Sequence, residues 1–181
     1  MSKVLMISAF LILSLQSSIA QNSSNVEKQQ FTLNFLLPGA IYEQGISANS
    51  TLTAEATMGF AFRGCTGCET AFGVYPIGRL QYRYYYNMQR RLEKGKHISG
   101  NTGNYIAPMI AAQSGKAIIG DLDYASDFFA GAGVVYGIQR TGHKGLSFRF
   151  EAGPAYFFDE FDDNVGLFLA LKLGWVLRKN P

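Results

Sequence analysis

Seven charged side chains stand on alternate positions of otherwise apolar stretches: Glu43, Glu55, Arg79, Arg83, Arg149, Glu151 and Lys172. Successive side chains of a strand point to opposite faces. Each of the seven therefore shares a face with glycine and other small residues, while the other face carries leucine, phenylalanine and tyrosine. Three acids and four bases on a narrow face must pair, because an unpaired charge away from water is costly. The chemistry expected of them is a salt-bridged plug inside a narrow barrel. The alternative is a gated ion path, which steady single-channel currents would reveal.

Other reactive groups are few. His97 and His143 are the only histidines. Both fall in expected turns, and no acid adjoins either in sequence. Nucleophilic catalysis needs nucleophile, base and orienting group in mutual reach. Ser114 and Ser126 lie in loops that the expected topology puts on the side opposite the histidines, so no catalytic set is assigned. Cys65 and Cys68 form a CxxC in a glycine-containing loop. One such pair cannot complete a tetrahedral zinc site, and in an exported chain it reads as a short-loop disulfide. Arg90, Arg91, Lys94 and Lys96 read as a solvated turn or as contacts to lipid phosphates. Asp159, Glu160, Asp162 and Asp163 surround Phe161 without the spacing of a calcium-binding loop. No cofactor or metal is assigned.

The elements that position these groups are strands. From Val165 to Leu177 the odd positions are Val, Leu, Leu, Leu, Leu, Trp and Leu. The even positions are Gly166, Phe168, Ala170, Lys172, Gly174 and Val176. A helix would seat Lys172 among leucines and carry two interior glycines. The alternation recurs. Leu52, Ala54, Ala56, Met58, Phe60 and Phe62 oppose Thr51, Thr53, Glu55 and Thr57. Leu80, Tyr82, Tyr84 and Tyr86 oppose Arg79, Gln81, Arg83 and Tyr85. Similar lists run over 128–139 and 146–158. About a dozen alternating residues match a tilted strand crossing a bilayer better than a short globular strand.

Charged residues are 16 %, against a globular average of roughly 25 %, and aromatics are 14 %. Mean hydropathy is only +0.03. A transmembrane barrel hides its hydrophobicity in this way, because only every second residue faces lipid. A soluble barrel with an apolar cavity would reverse the two lists. The fold class expected is all-β: an antiparallel up-and-down transmembrane β-barrel of about eight strands. That count takes Pro38-Gly39 as a turn; the alternative is one long strand kinked at Pro38.

Residues 1–20 read as a cleaved signal peptide, with Lys3, an apolar core over 4–15 and Ser18-Ile19-Ala20 as the cleavage site. Residues 21–30 read as a flexible polar leader, and 31–181 as the barrel domain. A formal charge of +3, or +2 without Lys3, does not favour nucleic acid as a partner. With the N-terminus inside, 64–75, 114–127 and 159–164 become extracellular, and 48–50, 87–103 and 141–145 periplasmic. Segment 87–103 is long for a periplasmic turn. Tyr82, Tyr84, Tyr86 and Trp175 suit a membrane–water interface.

Asn34-x-Leu36-Leu37-Pro38-Gly39, the run Gln81 to Asn87, and Lys94-Gly95-Lys96 followed by Ser99, Asn101 and Gly103-Asn104-Tyr105 resemble the small outer-membrane β-barrel proteins of Bacteroidota. More loosely, the chain is similar to OmpA/OmpX-type eight-stranded barrels. The resemblance implies outer-membrane residence and supplies no catalytic residues. Lys172-x-Gly174-Trp175-x-Leu177 also resembles the signal that presents a last strand to barrel-assembly machinery. It departs from that signal in running on through Arg178 to Pro181.

The reading reached is a small closed outer-membrane barrel with a structural or surface-interaction role and no open pore. Its partners are outer-membrane lipid, the assembly machinery and an unknown extracellular partner reached through the loops. Two alternatives stand: an outer-membrane lipid-modifying enzyme, and a secreted soluble β-barrel that binds a small apolar ligand.

Overall fold

A computed structural model describes residues 24–64 and 70–180, with the backbone alone for 178–180. The chain forms strands β1 (Gln29–Asn34), β2 (Gly39–Ser47), β3 (Ser50–Arg63) and β4 (Ala71–Tyr84), then helix α1 (Met88–Glu93). Strands β5 (Gly103–Ser114), β6 (Ile119–Gly120), β7 (Phe128–Thr141), β8 (Leu146–Phe158) and β9 (Asp163–Asn180) follow. Every pairing is antiparallel. Leaving out the two-residue β6, each strand pairs with its sequence neighbours, and β9 returns to β1. Eight strands thus close a ring with up-and-down connections. Ring closure leaves no long strand edge unpaired. Among the described residues no helix is long and apolar enough to cross a membrane.

Phe35 to Pro38 is a turn, since β1 and β2 pair with Asn34 opposite Gly39. A kinked single strand is thereby excluded. Strand β4 begins at Ala71, inside the stretch expected to be loop. Its first residues escape the pattern because Tyr75 is an aromatic residue turned inward, 1 % exposed. Pro108 and Pro154 lie within strands β5 and β8. The β4–β5 ladder breaks between Gln81–Met109 and Tyr84–Ile106, and the β7–β8 ladder between Gly133–Ala155 and Tyr136–Ala152. Each break spans a proline, which has no N–H to donate.

The start of β1, the end of β9, α1 and the turns at 48–49 and 142–145 gather at one end of the ring, the terminal end. The turn at 35–38, Gly64, Thr70 and the segments 115–127 and 159–162 gather at the other, the loop end. The described part of the expected flexible leader is built into the terminal end. Val26 and Glu27 are buried, and Gln29 already belongs to β1. The Gly45 N–H donates to Lys28 O at 2.9 Å.

Segment 87–103 folds inward with it. Glu27 accepts the Gly100 N–H at 2.7 Å, and the Glu27 N–H donates to Asn101 Oδ1 at 2.8 Å. Asn101 adopts φ 54°, a conformation that asparagine tolerates. Val26 and Met88 then pack with Tyr85, Tyr105, Ala107, Met109, Val135 and Ala155 in one buried cluster. The unusual length of this turn is thus used to cover the terminal end.

Candidate functional site: the charged lumen and its outward counterpart

Positional parity sorts the side chains. On β9, Val165, Leu167 and Leu169 are 77 %, 66 % and 59 % exposed, whereas inward Lys172 is 4 % exposed. The same division holds on β3, where Leu52 and Phe60 are exposed and Thr51, Thr53 and Glu55 are buried. Apolar side chains cover the outside and charges fill the inside, the reverse of a water-soluble protein.

All seven charged residues singled out from the sequence are buried in the lumen and brought into one network. Glu151, from β8, is its hub. Its carboxylate meets Arg79 Nη1 at 2.9 Å and Arg83 Nη2 at 3.5 Å. Arg79 Nη2 reaches Glu55 at 2.7 Å. Lys172 Nζ lies 2.5 Å from the Glu55 carboxylate and 3.8 Å from that of Glu151. Arg83 Nη1 meets Glu43 at 3.2 Å, and Arg149 Nη2 approaches the same oxygen at 3.8 Å. Neutral groups finish the shell. Glu43 accepts from Thr51 Oγ1 at 2.7 Å and Tyr85 OH at 2.8 Å. Glu151 accepts from Tyr105 OH at 2.5 Å and Gln81 Nε2 at 3.1 Å. Gln139 Oε1 accepts from Arg149 Nε at 2.8 Å.

Two guanidinium groups also rest on ring faces. Arg83 lies 4.9 Å from the Tyr105 centroid and Arg79 lies 5.3 Å from that of Phe168. Such stacking suits arginine's planar, weakly hydrated cation. Gly137 makes the Tyr105 position available, because a Cβ there would overlap the ring.

Tyr85, Tyr105, Gln81, Gln139 and Thr51 were not assigned a role from the sequence. The signal was present in their parity. Tyr85 continues the list of Arg79, Gln81 and Arg83, while Tyr105 shares a face with Gly103 and Ala107.

Tyr82, Tyr84, Tyr86 and Trp175 are all exposed on the outer wall toward the terminal end. Tyr42 and Tyr136 join them there. The outer wall toward the loop end carries Phe60, Phe62, Phe72, Phe128 and Phe158. Cys65 and Cys68, with their expected disulfide, lie outside the described residues, as does the expected signal segment.

The histidines, distant in sequence, meet at the terminal end with ring centroids 5.0 Å apart. His97 Nε2 is 2.9 Å from Thr141 O. Ser114 and Ser126 stand at the loop end. Their hydroxyls donate to Lys116 O at 3.0 Å and to Phe128 O at 2.6 Å.

The acidic loop at 159–163 turns its carboxylates onto backbone amides. Asp159 Oδ1 accepts from the N–H groups of Phe161 and Asp162, at 2.7 and 3.0 Å. Glu160 accepts from Asp127 N at 3.0 Å. Among the described residues, no three His, Cys, Asp or Glu side chains converge as metal ligands would.

Nothing matches this chain in comparisons with family models, curated proteins and solved structures.

Proposed function

We propose that the protein is a small, closed outer-membrane β-barrel with a structural or surface-interaction role and no open pore. The observation that carries this reading is the inversion of polarity. Leucines, phenylalanines and tyrosines are exposed around the ring, while Arg83, Glu43 and Glu151 are at most 1 % exposed. In water that arrangement would expose oil and bury charge. In a bilayer it is favourable on both counts, because the ring satisfies its own backbone hydrogen bonds.

Strands β3, β4 and β7, of 14 residues each, exceed the roughly 9–11 that a tilted crossing needs. The tyrosines and Trp175 form an interfacial ring at one end. An eight-stranded lumen is only just wide enough for its side chains. Here the ion network occupies its middle, and Val26 and Met88 pack at the terminal end, which supports a closed barrel. The loop end would face outward and meet any extracellular partner.

Cell fractionation combined with heat-modifiable gel mobility tests the reading. The expected result is a band in the outer-membrane fraction that migrates faster unboiled than boiled. Recovery in the soluble fraction without detergent would favour a soluble barrel instead.

A further inference from the structure

We propose that the outer wall near the terminal end carries a site for the phosphate of an anionic membrane lipid, built from Arg140, Asn104, Tyr136 and Tyr86. The inference rests on the membrane reading above. It assigns a ligand to groups outside the lumen.

Arg140 and Tyr136 share the outward parity of β7, and Asn104 lies on the adjoining strand, paired with Ile138. Arg140 is held in place. Nη1 donates to Gly103 O at 2.9 Å and Gln139 O at 2.7 Å, and Nη2 donates to Asn104 Oδ1 at 2.8 Å. These bonds leave Nε–H and one Nη2–H for another acceptor. Asn104 is itself fixed, because its backbone N–H donates to Asn87 Oδ1 at 2.8 Å.

Asn104 Nδ2 then donates to Tyr136 OH at 2.7 Å and to Tyr86 OH at 3.4 Å, and the two hydroxyls share a hydrogen bond at 3.1 Å. That shared bond uses one of the two phenolic protons. The other has to find an acceptor elsewhere, because Asn104 presents only N–H to the pair.

No carboxylate lies within ion-pair distance of Arg140 among the described residues. An unneutralised guanidinium beside an unused phenolic O–H is what a phosphate oxygen requires. The ligand must also carry an apolar body. Tyr84, Ile106 and Val134 surround the site on the same outer face, each exposed. A lipid with an anionic headgroup meets both demands, and its phosphate would sit at the depth of the tyrosine ring.

The test is native mass spectrometry of the purified full chain in a neutral detergent, with phosphatidylglycerol or phosphatidylcholine added. Every sample is first checked for heat-modifiable mobility. The expected result is selective retention of phosphatidylglycerol. Arg140→Gln should lower it roughly fivefold, since one basic side chain near an anionic surface is worth about that factor. Tyr136→Phe, which keeps the ring, should lower it too, and Lys144→Gln on the next turn should not.

Heat-modifiable protein that holds both lipids equally, or is unaffected by Arg140→Gln and Tyr136→Phe, would overturn the site and leave the membrane reading intact. Displacement of the lipid by inorganic phosphate alone would reassign the site to a soluble anion and overturn the lipid commitment. Loss of heat-modifiability in the unaltered protein would instead remove the membrane reading.

Discussion

Lys172 and Glu55 meet across the lumen. They are 117 residues apart in sequence and stand on β9 and β3, yet the ammonium lies 2.5 Å from the carboxylate. Strands β1 and β2 separate the two in the ring. The bridge is therefore a brace across the interior rather than a contact between neighbours. Arg79 and Glu151 extend it to β4 and β8.

Removing one partner should cost more than removing the pair. Lys172→Met or Glu55→Leu alone leaves a buried charge without its partner, at about 3–5 kcal/mol. The double substitution should cost much less than the sum of the two. Urea unfolding in lipid vesicles, scored by gel mobility, measures the three. Additive losses would show that the bridge does not couple the strands.

Glu151→Gln should be among the most damaging single changes in the lumen. It leaves Arg79 and Arg83 without the carboxylate that both contact. A loss of about 3–5 kcal/mol is expected, measured by the same unfolding assay. A neutral outcome would mean that Glu43 and Glu55 compensate the two arginines alone.

Gly137 should not tolerate a methyl group. A Cβ there overlaps the Tyr105 ring, whose hydroxyl donates to Glu151. Gly137→Ala should cost about 1–3 kcal/mol by overpacking, and adding Tyr105→Ala should recover none of the lost hydrogen bond. Unfolding midpoints of the two variants, with the single Tyr105→Ala as reference, check this.

The alternation was legible in the sequence because a charge or a glycine on every second residue is visible without coordinates. It located the seven lumen charges and the outward tyrosines. Parity cannot say which acid meets which base, since that depends on the shear of the ring. It also failed where inward residues are themselves aromatic. Tyr75 hid the start of β4, and Tyr85, though placed on the face of Arg79, Gln81 and Arg83, was given no part in the charge network, nor was Tyr105. The terminal end was misjudged for another reason. Val26, Glu27 and the segment to Gly103 have no period, and their order comes from long-range bonds such as Glu27 to Gly100.

That end closure is itself testable. Glu27→Ala removes the acceptor of the Gly100 N–H, a buried group, at about 1–3 kcal/mol. Hydrogen exchange of the amides near Gly100 should accelerate while the lumen-facing strands stay protected. Unchanged exchange at Gly100 would show that the cover is held by Val26 and Met88 alone.

The central claim is that the outer list of side chains meets lipid, and Trp175, the single tryptophan, reports on it directly. It is exposed on the outer wall toward the terminal end. In vesicles holding lipids with a quencher placed at different depths, its fluorescence should be quenched most by the label just below the headgroups, and hardly by aqueous iodide. Quenching by iodide with no effect from any lipid-borne label would put the wall in water and contradict the account.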